Sequence, residues 1–427
     1  MSDDHGHHGA APAEESPHVR RPRLEALGLV LVLVVAIALA FFVNRSDPAS
    51  GPEPAAGADV ADWTWEQVAD DQPWEGRAGL HVVELDGAFL LMGGRTPEQS
   101  TVPGAGTIWG DVWRSTDRGK TWRNVRAQDR PGAWSPRAYF QAVAHDGYAY
   151  VLGGQDFRVV PSGCPAGIPG CPAEVPISTF FNDVWRSRDG VEWERMTEAA
   201  PWAGRSGLRA ISFDGWIWIF GGSRNDDSAV VGAQGPAREY FNDVWRSRDG
   251  SEWEQVTADA PWAPRAGAVV VERDGEMYLL GGEAGFTCSP LPDCEPPYFN
   301  DVWRSADGED WELVTEAAGW SPRPGHQCVV TEEIICFGGF GLRENPADVW
   351  TSEDGETWRQ VSDAPWNVTD PTGVRYDFEA FASRNGEEWE VFTFGGDRET
   401  FDFADTENYL RVDDDVWRFG AEQPSKE

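Results

Sequence analysis

The stretch Phe241–Val256, FNDVWRSRDGSEWEQV, decides the fold because it recurs along the chain. Each copy joins two short runs of β-branched and aromatic residues through a turn that contains Gly. Gly supplies the positive φ that a tight turn needs, so each copy predicts a β-hairpin. A hairpin cannot bury its own apolar face, and a repeated hairpin therefore indicates stacked neighbours. Further copies begin at Asp111, Asp183, Asp301 and Asp348, and a shortened copy begins at Asp415.

Each full unit has four predicted strands, which we name a to d in chain order. Strand a follows a W-x-x-R segment, strand b ends in Gly-Gly, strand c is the DVWRS run and strand d is the WEQV run. Six Gly-Gly pairs predict six units. The last unit lacks strand d, whereas an orphan d-like run, Trp65–Val68, precedes the first unit. Pairing this orphan with Asp415–Phe419 would close the array into a ring and remove its exposed edge.

These features resemble kelch repeats, which have an R-x-x-x-H-type start of strand a, a Gly-Gly after strand b and an aromatic residue in strand c. The c-d turn resembles the Asp-box (BNR-type) turn of sialidase-type propellers, since Ser115–Trp122 fits S-x-D-x-G-x-T-W. The later copies are one residue shorter. The resemblance implies an all-β, six-bladed kelch-like β-propeller over residues 62–420, in a bacterial, membrane-anchored protein. Both motifs are structural elements of binding proteins and unrelated enzymes, so neither implies one function.

Residues 1–61 predict a membrane tether. The uncharged run Leu27–Val43 would form a helix about 26 Å long, near the lower limit for a bilayer core of about 30 Å. Arg residues precede the run and acidic residues follow it, so the positive-inside rule puts the N-terminus in the cytoplasm and the propeller outside. The alternative is a cleaved signal peptide and a secreted propeller, because Ala36–Ala40 contains A-x-A sites. The predicted segments are a cytoplasmic polar tail (1–23), a transmembrane signal-anchor (24–43), a Pro/Ala/Gly linker (44–61), the propeller (62–420, closed by strand 63–68) and a tail (421–427).

Composition excludes some partners. The formal net charge is -37, so the surface repels nucleic acid and anionic lipid headgroups. The six cysteines form three local pairs without zinc-site spacing, which predicts disulfides and an oxidising compartment. Of fifteen possible pairings, the most economical joins Cys164 with Cys171, Cys288 with Cys294, and Cys328 with Cys336. We predict no metal and no cofactor, since the acidic runs Asp226-Asp227 and Asp413–Asp415 lack the spacing of a calcium loop.

The predicted functional face carries the long b-c loops, because variable loops on a rigid scaffold often carry function. The d-a connections on the same face repeat a Trp-x-x-Arg pair in five units, whereas in the sixth Trp366 persists and Arg375 is displaced by an insertion. Turned toward the axis, these side chains would bind a carboxylate or a sulfated sugar. Alternatively, each Trp wedges between blades and each Arg pairs with an Asp of a neighbouring blade. The ten residues are Trp74, Arg77, Trp134, Arg137, Trp202, Arg205, Trp262, Arg265, Trp320 and Arg323.

We predict a ligand- or protein-binding module, with an unknown protein or an anionic carbohydrate as partner, and we expect no catalysis. The alternative is a carbohydrate-active enzyme of the sialic acid mutarotase or sialidase type. A mutarotase is similar in fold and needs only an Arg or Glu in the channel. A copper oxidase site lacks ligands, since the propeller offers only His81, His145 and His326, with His145 at an a-b turn on the wrong face. No FRIP-like segment, Ser-His-Asp spacing, phosphate loop or HExxH motif occurs.

Overall fold

The structure is a computed structural model that describes residues 59–69, 72–98, 106–164, 173–225, 238–285, 297–341, 346–367, 375–398 and 410–422. These residues form six four-stranded antiparallel sheets, the blades of a β-propeller. The innermost strand of each blade contacts the innermost strand of the next, and blade 6 contacts blade 1. The prediction of an all-β, six-bladed propeller is therefore confirmed. The predicted transmembrane segment lies outside the described residues, within which we find no helix long and apolar enough to cross a membrane.

Each blade contains strands a to d in the predicted order, with strand a innermost. In blades 1 to 6, strand a spans His81–Leu85, Gln141–His145, Arg209–Phe213, Val269–Arg273, Gln327–Val330 and Glu379–Asn385. Strand b spans Ala88–Met92, Tyr148–Leu152, Trp216–Phe220, Glu276–Glu283, Ile334–Phe337 and Glu388–Phe394. Strand c spans Val112–Ser115, Val184–Ser187, Val244–Ser247, Tyr298–Ser305, Asp348–Ser352 and Val416–Gly420. Strand d spans Arg123–Arg126, Glu194–Thr197, Glu254–Thr257, Glu312–Thr315, Arg359–Asp363 and, in blade 6, Thr64–Ala69.

The N-terminal strand closes the ring. Thr64–Ala69 pairs antiparallel with strand c of blade 6, with Trp65 opposite Phe419. Their rings stack with centroids 4.7 Å apart. The short 3-10 helix Val60–Asp62 precedes this strand, and Val60 is buried between blades 5 and 6. The predicted pairing of the orphan run with the last strand is confirmed, and packing begins two residues before the predicted propeller boundary.

The Gly-Gly pairs let neighbouring blades approach. Gly93 and Gly94 both have positive φ, 58° and 103°. A Cβ atom on Gly93 would lie 2.6 Å from the Phe140 ring of the next blade, closer than any side chain tolerates. The other five pairs have the same backbone conformation. Apolar residues of consecutive blades pack together on both sides of these contacts, so the core consists of wedges between blades.

The Asp-box turns are structural. Ser115 Oγ accepts a hydrogen bond from the Gly119 N–H at 2.9 Å, and Asp117 Oδ1 accepts one from the Thr121 N–H at 2.9 Å. A Cβ atom on Gly119 would come within 3.1 Å of Val416 in blade 6. The turn therefore packs against the preceding blade, at the end of the propeller opposite to the d-a connections.

The long b-c loops are described in part. In blades 1 to 3 the loops begin and end as two-stranded ribbons, Arg95–Pro97 with Gly106–Ile108, Gln155–Pro161 with Glu174–Phe180, and Ser223–Arg224 with Glu239–Tyr240. The second short 3-10 helix, Pro365–Asn367, lies in the connection into blade 6.

One predicted disulfide is fully described. Cys328 and Cys336 form a disulfide between strands a and b of blade 5, which confirms that pairing. Cys164 is also disulfide-bonded. The predicted partner Cys171 and the predicted pair Cys288 and Cys294 lie outside the described residues.

Candidate functional site

The repeated arginines are buried inside the blades. Each forms a two-pronged ion pair with the Asp of the Asp-Val-Trp run at strand c, and Arg205 is typical, with Nη1 2.5 Å from Asp243 Oδ1 and Nη2 3.0 Å from Oδ2. The same Asp accepts a hydrogen bond from Trp245 Nε1 at 2.8 Å. The Arg also donates to the carbonyl oxygen of Gly221, the first Gly of the Gly-Gly pair. The other pairs are Arg77 with Asp111, Arg137 with Asp183, Arg265 with Asp301 and Arg323 with Asp348.

Two details differ from the sequence-based expectation. The Asp partner belongs to the same blade and not to a neighbouring one, because the segments before strand a and before strand c lie at the same end of one sheet. Arg375, which the insertion displaces in sequence, still occupies the sixth position, with Nη2 2.7 Å from Asp415 Oδ1. All six arginines are at most 2% exposed.

The repeated tryptophans lie between blades. Trp134 packs in the apolar wedge of blades 1 and 2, where its ring meets that of Trp193 edge to face. Trp74, Trp202, Trp262 and Trp320 are buried in the same way. Ligand binding by the ten repeated residues stays a prediction, and their burial and pairing match the structural alternative.

A second set of side chains surrounds the propeller axis. The first residue of each strand a forms what we call the inner ring, which consists of His81, Gln141, Arg209, Val269, Gln327 and Glu379. Except for Val269, all are polar. All of them except Glu379, together with the residues just before them, line a cavity of about 70 Å³, the funnel. It lies at the end of the propeller that carries the d-a connections and the b-c loops.

Glu379 lies directly against His81, which lines the funnel. His81 Nδ1 is 2.5 Å from Glu379 Oε2, a close contact whose angles are not those of a hydrogen bond. On its other side, His81 Nε2 lies 3.0 Å from the Gln141 amide nitrogen. Gln141 Oε1 accepts a hydrogen bond from the Ala210 N–H, which fixes the orientation of the amide. His81 Nε2 therefore accepts a hydrogen bond and the ring proton faces Glu379.

Arg209 differs from the six structural arginines because it forms no ion pair with any described residue. Its Nη1 donates to Gln327 Oε1 at 3.3 Å, and Gln327 is itself held by a hydrogen bond to the Phe378 carbonyl oxygen. Its Nε is buried and has no hydrogen-bond partner. Burial lowers the pKa of Arg209, and the negative charge of Glu379 opposes this shift. The guanidinium thus keeps an unpartnered N–H beside the funnel, which an oxyanion would satisfy.

A ring of left-handed residues, the collar, lies just outside the inner ring. It consists of the residue two positions before each inner-ring residue, namely Gly79, Tyr139, Gly207, Gly267, Gly325 and Asp377, with φ between 49° and 66°. Backbone hydrogen bonds of 2.8–3.1 Å link consecutive members, from Gly79 to Asp377, Tyr139 to Gly79, Gly207 to Tyr139, Gly267 to Gly207 and Asp377 to Gly325. The collar therefore holds the mouth of the funnel in one shape.

Sequence reasoning missed the inner ring because it searched for residues that repeat. Each member lies four positions after a structural Arg, in the R-x-x-x-H-type segment that starts strand a. That position is His in blade 1 and changes in the other blades, while its flanks stay similar. A polar position that varies inside a repeated segment is the signal that would have found it. His145 lies at the far end of strand a, with Nδ1 2.8 Å from Ser212 Oγ, as the sequence predicted.

Comparison with known proteins supports the fold. No family model matches the chain. The solved structure described as "Structure of YjhT" matches with a TM-score of 0.54 and 15% sequence identity, and the match covers 77% of this chain and 93% of that chain. At this identity the likeness concerns the fold and not the activity. The protein is a β-propeller that is structurally similar to YjhT.

Proposed function

We propose that the protein is a binding module that takes the anionic group of a hydroxylated ligand, such as an acidic sugar, in the funnel. The observation that carries this proposal is the guanidinium of Arg209, which forms no ion pair with a described residue and whose Nε is buried without a hydrogen-bond partner. His81, Gln141 and Gln327 line the same cavity and make its wall polar, which suits a hydroxylated ligand. The proposal keeps the predicted binding face, since the funnel opens at the long-loop end, and it keeps the predicted tether at residues 24–43.

Arg209→Gln should remove binding. Loss of a charged, partly buried partner costs about 2 kcal/mol or more, which is about 30-fold in Kd. Calorimetric titration with N-acetylneuraminate, glucuronate and the neutral sugar galactose measures this, and we expect binding of an acidic sugar only. Arg123→Gln, at an exposed position on strand d of blade 1, is the matched control and should bind as the wild type does. Equal affinity of wild type and Arg209→Gln for an acidic sugar would contradict the proposal.

A second candidate function is mutarotation of the bound acidic sugar. The observation in its favour is the close approach of His81 to Glu379 in the same funnel as Arg209. Opening of a sugar ring needs one group that takes the proton of the anomeric hydroxyl and one that gives a proton to the ring oxygen. A carboxylate on the anomeric carbon, as in sialic acid, would place the reacting atoms beside the guanidinium and this pair.

Glu379→Gln tests this activity. We expect the wild type to accelerate exchange between the anomers of N-acetylneuraminate, measured by NMR, and the variant to lose about 100-fold of that acceleration. The variant should still bind the sugar, because Arg209 is unchanged. Glu388→Gln, exposed at the other end of blade 6, should retain full activity. Exchange in the wild type at the rate of buffer alone would exclude mutarotation and leave the binding function in place.

A further inference from the structure

We propose that, among the described residues, the mouth of the funnel is open at an aperture between Gly207 and Gly267, on the side from which the Arg209 side chain starts, while Tyr139 covers the opposite side above His81. The inference rests on the proposed function in one respect, since it takes Arg209 as the partner of the anionic group. It adds the route by which a ligand arrives and the residue that restricts it.

Tyr139 covers the side of blade 1. Four collar positions are Gly, but blade 2 carries Tyr139 at a φ of 52°, a conformation that is uncommon for a bulky side chain. Its ring lies over Gly79, because a Cβ atom on Gly79 would be 2.7 Å from Tyr139 Cδ1. His81 follows Gly79 by two positions and lies just inside it. The tyrosine ring therefore covers the mouth above the His81–Glu379 pair.

Contacts with the loops hold Tyr139 in this place. The ring packs against Ile108 and Phe157, which belong to the ribbons of blades 1 and 2. The hydroxyl group forms a hydrogen bond with Arg95, at the start of the ribbon of blade 1. These contacts keep Tyr139 in a backbone conformation that is unfavourable for a tyrosine and that a glycine would adopt without strain. Such strained residues are typical of positions under functional constraint.

Asp377 covers a second part of the mouth. Its carboxylate lies over Gly325, since a Cβ atom on Gly325 would be 2.8 Å from Asp377 Oδ1. Tyr139 and Asp377, the two collar residues with side chains, thus each extend over the collar glycine of the preceding blade. No collar side chain extends over Gly207 or Gly267. A Cβ atom on Gly207 would lie 3.1 Å from the small Ala266 Cβ, and one on Gly267 would have only the Gly325 nitrogen within 4 Å, at 3.8 Å. In the part of the chain that the structure describes, the uncovered part of the mouth therefore belongs to blades 3 and 4.

The residues below the aperture agree with this assignment. Arg209 follows Gly207 by two positions, so its side chain starts beneath the uncovered side, and its guanidinium extends to Gln327 of blade 5. Blade 4 carries Ala268 where the other blades carry the larger, buried residues Leu80, Phe140, Leu208, His326 and Phe378, and Ala268 is the one member of this set that is partly exposed. A cavity of about 70 Å³ holds little more than a carboxylate group.

A thiol placed under the aperture tests the route without knowledge of the ligand. Ala268→Cys introduces a small, partly exposed thiol in the funnel, and the described residues contain no free cysteine. The thiol is labelled with neutral methyl methanethiosulfonate and with the anionic 2-sulfonatoethyl reagent, and mass spectrometry of the peptide gives both rates. Gly267→Asn in this background puts a side chain across the aperture. Asn tolerates the left-handed conformation, and two blades already carry side chains at this position.

We expect Gly267→Asn to slow both reagents by tenfold or more. Tyr139→Asn, which puts the same residue on the covered side, should not slow either reagent. Arg209→Gln should slow the anionic reagent alone, and this arm separates the two proposals. If Arg209→Gln has no effect while Gly267→Asn blocks both reagents, the aperture stands and the proposed function fails. If Gly267→Asn changes both rates less than twofold, or if Tyr139→Asn slows them equally, the aperture proposal is overturned.

A second pair of variants tests the cover itself and does not depend on Gly267. Gln141→Cys places a thiol under the covered side, where we expect slow labelling by both reagents. Adding Tyr139→Gly restores the residue that four blades carry at this position and should accelerate labelling by tenfold or more. An unchanged rate in a folded double variant would show that Tyr139 does not cover the funnel.

Discussion

Arg205→Met should lower the free energy of unfolding by about 3–5 kcal/mol, the cost of leaving one member of a buried ion pair alone. All three guanidinium nitrogens of Arg205 donate hydrogen bonds, to Asp243, to the carbonyl oxygen of Gly221 and to that of Ala203. The guanidinium also lies 3.8 Å from the centre of the Phe241 ring. Without Arg205, the Asp243 carboxylate keeps only its hydrogen bond with Trp245 and stays largely buried.

Urea unfolding measures this effect. Arg123→Met, an arginine of similar length at an exposed position, should change the free energy by less than about 0.5 kcal/mol. Arg205→Met that unfolds like the wild type but no longer binds an acidic sugar would assign the repeated arginines to ligand binding and contradict their structural role.

His326→Phe should make the protein less sensitive to acid. His326 is 2% exposed, its Nε2 has no partner among the described residues, and its Nδ1 donates to the Arg323 carbonyl oxygen. Burial, with the positive charge of Arg323, lowers the pKa of His326 to about 3. In the unfolded chain the pKa is about 6.5. Below pH 6.5 the unfolded state therefore binds a proton that the folded state does not, and stability falls as the pH falls toward 3.

The size of the expected stability change follows from the difference between the pKa of His326 in the folded protein and in the unfolded chain. Between pH 7 and pH 5 the histidine costs the wild type about 2 kcal/mol of folding free energy that His326→Phe does not lose. Phe fits this position, because Phe140 and Phe378 occupy it in blades 2 and 6 and contact the Gly-Gly pair of the neighbouring blade in the same way. The measurement is urea unfolding of both proteins at the two pH values. An equal loss in both proteins would show that His326 is accessible to protons in the folded state.

The repeats made the fold predictable. Asp-Gly turns and Gly-Gly pairs are required by backbone geometry, so each copy indicates the same blade structure. The orphan first strand indicates that the ring of blades closes. The inner ring was not predictable in this way. Whether an Arg points to the axis or into a blade depends on tertiary packing, and Arg205 and Arg209 lie only four residues apart with opposite roles.

The spacing of residues in the repeats also failed to predict the positions at which one blade differs from the others. Arg375 takes the sixth structural position although the insertion before it breaks the Trp-x-x-Arg spacing, because its partner Asp415 and the Gly395 carbonyl oxygen select it. Tyr139 and Asp377 replace Gly in the collar, and only the structure shows that both keep the left-handed backbone. Tyr139 and Asp377 are therefore the positions at which the collar departs from sixfold symmetry.

The most direct test of the account is a crystal structure of the protein with N-acetylneuraminate or glucuronate at saturating concentration. We expect the carboxylate within hydrogen-bonding distance of Arg209 Nε, with the six structural arginines still paired with their Asp partners. An acidic sugar bound away from the funnel, or bound by a structural arginine released from its Asp, would contradict the central claim.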